Sequence, residues 1–142
     1  MKFRLEHANI CVHDIDGVVK FLQTAFPEFQ VRHDGVDRKN VRWVHVGTDE
    51  TYVALNQASP DEPPTGNPYS GRPGLNHLAY VVDDVDTLRS RLLAAGYQES
   101  TPPNKHPHRK RVYFYDPVGN DWEFVEYLSE DPRERHDYDL PG

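Results

Sequence analysis

The sequence predicts an α+β fold made of two tandem βαβββ modules. The main observation is an internal repeat: shifted by 70 residues, positions 5–27 match positions 75–97 without a gap, with seven identities in 23. Each half also opens with a β-rich apolar run followed by an Asp-x-Asp sequence, which is a helix N-cap signal. A segment rich in Pro and Gly separates the halves. Together these observations indicate a duplicated module.

The first module, residues 1–57, has one predicted helix and four predicted strands. Asp14 and Asp16 offer side-chain oxygens for the start of the helix. Its apolar positions recur at helical spacing, at Val18, Leu22, Ala25 and Phe26. The strands are expected at Ala8–Val12, Gln30–His33, Val41–Val46 and Thr51–Gln57.

The second module, residues 75–128, has the same predicted order. Its helix carries apolar residues at Val85, Leu88, Leu92 and Ala95, and Gly96 is placed to end it. The strands are expected at Leu78–Val82, Gln98–Thr101, Arg111–Tyr115 and Trp122–Leu128. A turn, Asp116–Asn120, separates the last two strands.

Between the modules, residues 58–74 contain five Pro and three Gly, so neither a helix nor a central strand is expected there. We interpret this segment as a linker, either a plain tether or a lid over a functional site. Residues 129–142 are charged and end in Pro-Gly, and we expect a solvated arm. The modules and linker are predicted to form one domain over residues 1–128.

Composition and charge exclude several classes of function. The net charge of −7 disfavours general binding to nucleic-acid phosphates. The sequence has no run of 18 apolar residues, so no membrane span is predicted, and no signal-peptide pattern follows Met1. Cys11 is the only cysteine, which excludes an intrachain disulfide and a Cys-based zinc site. We expect a soluble, cytoplasmic protein that binds neither nucleic acid nor membrane.

The repeat distinguishes two of the eight histidines. His7 and His77 match under the 70-residue shift, and each lies in a short strand just ahead of an apolar stretch. Because equivalent strands of a duplicated fold face each other across the pseudo-two-fold axis, the two imidazoles can converge on one point. The alternative is that both are core histidines with satisfied ring nitrogens.

A carboxylate in the last predicted strand offers a third ligand. Strand alternation places Glu126 on the face shared by Trp122 and Phe124, with Glu123 on the opposite face. An ionised Glu on an aromatic face needs a cation or strong donors to offset its desolvation. With the two histidines it makes a 2-His-1-carboxylate set, which suits non-haem Fe(II) and related divalent metals. The alternative is an ion pair with an arginine, for which the candidates are Arg42, Arg109 and Arg111.

The 70-residue shift places Asn56 at the position of Glu126 in the first module. Because Asn is a weak, neutral ligand, the site is expected to have three protein ligands and an open face for water or substrate. Asn56 is then expected to orient a metal-bound water or to bind a substrate oxygen.

The most specific motif, YFYDPVGNDWEFVE, covers residues 113–126. Together with His7, His77 and Glu126 in duplicated modules, it resembles the vicinal oxygen chelate superfamily over residues 3–128. That group includes glyoxalase I, type I extradiol dioxygenases, methylmalonyl-CoA epimerase and the fosfomycin- and bleomycin-resistance proteins. The resemblance implies a curved, partly open mixed β-sheet barrel around one divalent metal ion held by these three residues. Fe2+ is favoured, with Mn2+, Zn2+, Ni2+ and Co2+ as alternatives.

The resemblance implies a metal-dependent enzyme whose small-molecule substrate presents adjacent oxygen atoms to the metal. Because Asn56 cannot act as a base, extradiol-dioxygenase chemistry is favoured over lyase or isomerase chemistry of the glyoxalase I or epimerase type. A metal-free small-molecule binding protein, similar to the bleomycin-resistance proteins, and a regulatory relative are the alternatives. Because relatives with two modules commonly dimerise, we expect a homodimer.

Other side chains are candidates for catalysis and substrate binding. Tyr113 resembles the catalytic Tyr of the extradiol dioxygenases, and Tyr115 shares its face as a substrate-binding candidate. His45 is expected to reach the cavity because the shift pairs it with Tyr115. Arg109, in the basic run 105–111, is expected to attract an anionic substrate such as a carboxylate or phosphonate, with a solvated loop as the alternative. The weaker acid/base candidates are His106 and His108.

Overall fold

The computed structural model describes residues 1–142, which divide into two compact units, Met1–Thr65 (unit 1) and Gly66–Gly142 (unit 2). The boundary lies inside the Pro- and Gly-rich segment that the sequence identifies as a linker. Both units combine helices with a small mixed sheet, which confirms the α+β class, and neither sheet is closed. None of the helices has the length and apolar character that crossing a bilayer requires.

Unit 1 has the predicted βαβββ order. Its elements are β1 (His7–Val12), α1 (Ile15–Ala25), β2 (Gln30–Val36), β3 (Arg42–Gly47) and β4 (Tyr52–Gln57). The sheet order is β1-β4-β3-β2; β1 is parallel to β4 and the other pairs are antiparallel. Asp14 begins α1 as predicted, since its Oδ1 accepts from the Gly17 amide at 2.9 Å.

Unit 2 repeats this arrangement with one strand fewer. Its elements are β5 (His77–Val81), α2 (Val85–Ala94), β6 (Arg109–Tyr115), β7 (Asp121–Tyr127) and a short helix, α3 (Pro132–Arg135). The sheet order is β5-β7-β6, with β5 parallel and β6 antiparallel to β7. Asp84 caps α2 by accepting from the Thr87 amide at 3.0 Å.

The strand predicted at Gln98–Thr101 does not form, and only an isolated bridge joins Glu99 to Phe114. The two prolines that follow have no N–H to donate to a ladder. Asn104 covers this edge of β6 with its side chain, whose Oδ1 accepts from the Arg111 amide and whose Nδ2 donates to the Arg109 carbonyl. A side chain thus replaces a backbone pairing partner.

Strand alternation gives each sheet two different faces. In unit 2, Trp122 and Phe124 are fully buried on the face that α2 covers. In unit 1, the buried residues on the corresponding face are Val44, Val46, Val53 and Leu55. We call the other side of each sheet its histidine face, because His7 lies there in unit 1 and His77 in unit 2.

Most residues of the C-terminal segment, 129–142, are exposed and none is buried, but contacts that are distant in sequence hold the segment to unit 2. Arg109 Nη1 donates to the Arg135 carbonyl at 2.9 Å, and His106 Nε2 lies 2.8 Å from the Asp137 carbonyl oxygen. The Arg109 guanidinium also lies over the Tyr138 ring, 5.1 Å from its centroid. Because these partners are distant in sequence, the charge of the segment alone does not indicate that it packs.

Candidate metal centre and substrate groove

The carboxylate beside His77 belongs to Glu123. In the parallel β5–β7 pair, His77 is opposite Asp121, so that Glu123, two residues further along β7, lies on the same face. His77 Nε2 is 3.0 Å from Glu123 Oε2. The Glu123 side chain is only 12% exposed, whereas the His77 side chain is 34% exposed. Imidazole nitrogen and carboxylate oxygen therefore meet at a partly accessible point.

Asn76 fixes the orientation of the His77 ring. Its Nδ2 donates to the Pro68 carbonyl, so its Oδ1 faces His77 Nδ1 at 2.6 Å and accepts from it. Nδ1 therefore carries a proton, and in a neutral ring Nε2 presents its lone pair towards Glu123. Two electron-pair donors this close require a positive centre, which is a proton or a metal ion. Two ligands bound at right angles about 2.1 Å from one ion are also about 3 Å apart, so the pair fits a divalent metal.

Glu126 lies on the opposite face of β7 from His77, which contradicts its predicted role as the carboxylate partner of that histidine. Its Oε2 accepts from the Val85 amide at 3.0 Å, at the first turn of α2. This bond satisfies one of the amides that a helix start leaves unpaired, and the helix dipole favours a negative charge there. A backbone N–H thus compensates the desolvation of the Glu126 carboxylate, and neither a metal ion nor an arginine takes this role.

Tyr113 lies beside the His77–Glu123 pair of unit 2. Antiparallel pairing places it opposite Glu123, and its ring meets the His77 ring edge-on, with 5.6 Å between centroids. Burial, and then the charge of Glu123, raise the pKa of the Tyr113 phenol to about 12. The structure therefore brings this predicted catalytic residue next to His77 as a protonated donor.

His7 has a similar partner in unit 1. Its Nδ1 is 3.0 Å from Glu6 Oε1, which also accepts from the Tyr52 hydroxyl at 3.2 Å. A carboxylate can only accept, so Nδ1 is the protonated nitrogen and Nε2 is available as a ligand. Both strand histidines are thus oriented by an oxygen of the preceding side chain. The convergence of His7 with His77 stays a prediction, and no third metal-ligating side chain joins His77 and Glu123 within unit 2.

Aromatic rings cover much of the histidine face of unit 1. His45 contacts both Trp43 and Tyr52, with centroid distances of 4.9 and 4.6 Å, and His33 stacks on Trp43 at 3.9 Å. The Arg32 guanidinium lies 4.6 Å from the Tyr52 centroid. Burial, and then the charge of Arg32, lower the pKa of His45 below its ordinary value. His45 is therefore held in its neutral form near pH 7.

A groove of about 520 Å³ opens on this face, a size typical of small-molecule sites. His45 and Asn56, which the sequence identifies as site candidates, both line it. Its other lining residues are Asn9, Val36, Asp37, Arg38 and Trp43. The groove combines an indole surface with two carboxamides and a charged turn.

Of the remaining candidates, Tyr115 lies in the same row of the sheet as His77, whereas Arg109 and His106 are engaged elsewhere. Tyr115 lies on the histidine face of unit 2, opposite Asp121. Arg109 is only 6% exposed and its guanidinium is committed to the C-terminal segment, so the structure gives it a structural role in place of the predicted substrate contact. His106 accepts from the His108 amide at 3.1 Å and is itself buried, so it also supports the segment.

A family model described as the Glyoxalase/Bleomycin resistance protein/Dioxygenase superfamily matches residues 4–124. The chain belongs to this superfamily. The match confirms the resemblance on which the sequence-based expectations depend. No curated protein matches the chain significantly.

Solved structures of superfamily members share the fold at low identity. A glyoxylase/bleomycin resistance protein/dioxygenase domain from Frankia sp. EAN1pec has a TM-score of 0.75 and 20% identity, covering 89% of this chain and 99% of its own. The fosfomycin resistance protein FosX from Mesorhizobium loti has a TM-score of 0.68 and 20% identity, covering 95% and 98%. FosX from Listeria monocytogenes, in complex with Mn(II) and sulfate, has a TM-score of 0.65 and 19% identity, covering 95% and 98%.

Replacing Glu126 with Ala should lower the free energy of unfolding by about 1 kcal/mol, because the Val85 amide loses its acceptor. Glu126→Gln should lower it less, since the amide oxygen can still accept. Urea unfolding followed by circular dichroism measures both. If Glu126→Ala kept full stability, the bond to the helix start would have no role.

Proposed function

We propose that this superfamily member is a divalent-metal-dependent enzyme acting on a small organic substrate with adjacent oxygen atoms, with extradiol-dioxygenase chemistry as its reaction. The observation that carries the proposal is the approach of His77 Nε2 to Glu123 Oε2 at 3.0 Å, with Asn76 holding the other ring nitrogen. His7 is the proposed third ligand. This set replaces the one based on Glu126 and keeps its composition of two His and one carboxylate.

A divalent ion held by these residues would act as a Lewis acid towards two substrate oxygens. His77 and Glu123 supply the nitrogen and oxygen donors, and Asn76 and Glu6 keep the two imidazoles in the ligating tautomer. The partial burial of Glu123 excludes much of the water that would otherwise compete for the site.

Proton movement is assigned to two side chains. Tyr113 keeps its phenolic proton across the physiological pH range and can donate a hydrogen bond to a substrate oxygen. His45, held neutral by its surroundings, can accept a proton from a substrate hydroxyl. Each role matches the protonation state that the local environment favours.

The groove of unit 1 supports a planar substrate. The exposed part of Trp43 offers a stacking surface, and the Asn9 and Asn56 carboxamides can each donate and accept hydrogen bonds. A catecholic ring combines a flat apolar surface with adjacent hydroxyls, which suits this lining. Lyase or isomerase chemistry would not need the aromatic surface.

The structural neighbours support the choice of a divalent metal. The Listeria FosX structure contains Mn(II), and that protein belongs to the same fold. Fe2+ is our proposal for this chain because a set of two His and one carboxylate is typical of non-haem iron oxygenases.

Protein purified without a His tag should contain about one divalent ion per chain, mainly Fe, by elemental mass spectrometry. His77→Ala and Glu123→Gln should each lose most of it, because each removes one of three protein ligands. His13→Ala and Glu126→Gln are the matched controls and should keep it, since His13 Nε2 lies 3.0 Å from the Glu62 carbonyl oxygen and Glu126 accepts from the Val85 amide. If Glu123→Gln and Glu126→Gln retained equal metal, the ligand assignment would be refuted. A wild-type protein that stayed empty after anaerobic incubation with these metals would support the metal-free binding protein.

Fe2+-loaded protein should consume O2 with a catechol and not with hydroquinone, whose oxygens are not adjacent. Tyr113→Phe should lower kcat by about 100-fold while the metal content stays constant, because only the proton donor is lost. An oxygen electrode measures both effects. A loaded protein that consumed no O2 with any catechol would exclude the dioxygenase reaction and favour lyase or isomerase chemistry.

We also propose a homodimer. Large apolar side chains are exposed just ahead of the first strand of each unit, with Phe3 91% and Leu75 57% exposed, and burial in a subunit interface would remove their apolar area from water. Sedimentation equilibrium at micromolar concentration should give twice the chain mass of 16.4 kDa. A monomer at every concentration would contradict this assembly.

A further inference from the structure

A cation without a partner lies next to the proposed metal ligands. Arg111 and Tyr113 are two residues apart on β6, so both point to the histidine face of unit 2. Tyr113 is opposite Glu123, and Arg111 is opposite the next residue on that face, Val125. Arg111 is close enough for its charge to act on the Tyr113 phenol.

The Arg111 guanidinium lacks a compensating charge. None of the chain's ion pairs includes Arg111. Its Nε is buried and has no hydrogen-bond partner. Glu123, on the neighbouring strand and the same face, pairs with His77 instead. Leaving a buried donor of a charged group unpaired is costly, so such a group is retained where a ligand pairs with it.

Arg109, the next residue along the same face of β6, differs in one respect. Its Nε is also buried and unpartnered, but its Nη1 donates to the Arg135 carbonyl and its guanidinium lies on Tyr138. Arg109 therefore adds positive potential beside Arg111 while the C-terminal segment holds it in place. No peptide carbonyl or aromatic ring holds the Arg111 side chain in this way.

We propose that Arg111 binds an oxyanion of the substrate, a carboxylate, phosphonate or phosphate group. The inference rests on the proposed function only in treating the anion as part of the substrate. Guanidinium groups bind such oxyanions through paired, charge-assisted hydrogen bonds, and Nε is one of the donors used in that geometry. The substrate then has two features, adjacent oxygens at the metal ligands and a negative group at Arg111.

The test is the binding of inorganic phosphate, methylphosphonate and acetate to metal-free, full-length protein by isothermal titration calorimetry. Wild-type protein should bind at least one of them saturably, and the ranking identifies the oxyanion class. Arg111→Gln should raise the Kd by about 10-fold or more, the effect of losing a charge-assisted hydrogen bond. Lys105→Gln is the matched control: it removes the same charge from an exposed position in the same basic run, and should change the Kd by less than about 2-fold.

Arg111→Lys keeps the charge but loses the paired guanidinium donors, so it should bind more tightly than Arg111→Gln and more weakly than wild-type protein, which protects the test if Arg111→Gln is poorly folded. Circular dichroism establishes the fold of each variant. Equal weakening by Arg111→Gln and Lys105→Gln, or no saturable binding by wild-type protein, would overturn the proposal. Because the titration uses metal-free protein, its failure is separate from failure of the metal assignment, which metal content alone decides.

Discussion

The register of the parallel β5–β7 pair is the constraint on which the candidate site depends. Because successive residues of a strand point to opposite faces, a shift of one residue would exchange the helix-covered face with the histidine face. Trp122 and Phe124 are fully buried under α2, so this register is fixed by hydrophobic burial. The same packing that stabilises unit 2 therefore directs Glu123 towards His77 and Glu126 towards the helix.

The two units place different side chains at equivalent positions of one topology. Matching their strand pairs places Asn9 at the position of Ala79, Ala54 at that of Glu123, and His45 at that of Tyr113. Unit 1 therefore has no carboxylate equivalent to Glu123. It carries instead a groove whose lining includes an indole and carboxamides. One unit thus carries a carboxylate beside its strand histidine, whereas the other carries an aromatic groove.

The repeat in the sequence predicted the modules, both capped helices and seven of the eight strands, because these features depend on local patterns. The sequence prediction of the carboxylate beside His77 was wrong, since this residue is Glu123 and not Glu126. The offset between matching positions is 70 residues at Asn9 and Ala79 but 69 at Ala54 and Glu123. A rigid 70-residue shift is thus one residue out of register at the last strand, so it pairs Asn56 with Glu126, whereas the strand pairing matches Ala54 to Glu123. Alternation separates Glu123 from Glu126 correctly, but the aromatic face of β7 is the buried one, so the carboxylate on the face of His77 is Glu123.

The different contacts of Arg109 and Arg111 could not be predicted from the sequence. They occupy equivalent positions on one face of one strand, and no local pattern separates them. What separates them is a contact about 26 residues away in sequence, where the Arg135 carbonyl accepts from Arg109. Long-range packing of this kind has no short-range signature, and it holds Arg109 while leaving the Arg111 Nε without a hydrogen-bond partner. In a chain of net charge −7, a cation kept without an ion pair beside His77 and Glu123 is better explained by recognition than by solubility.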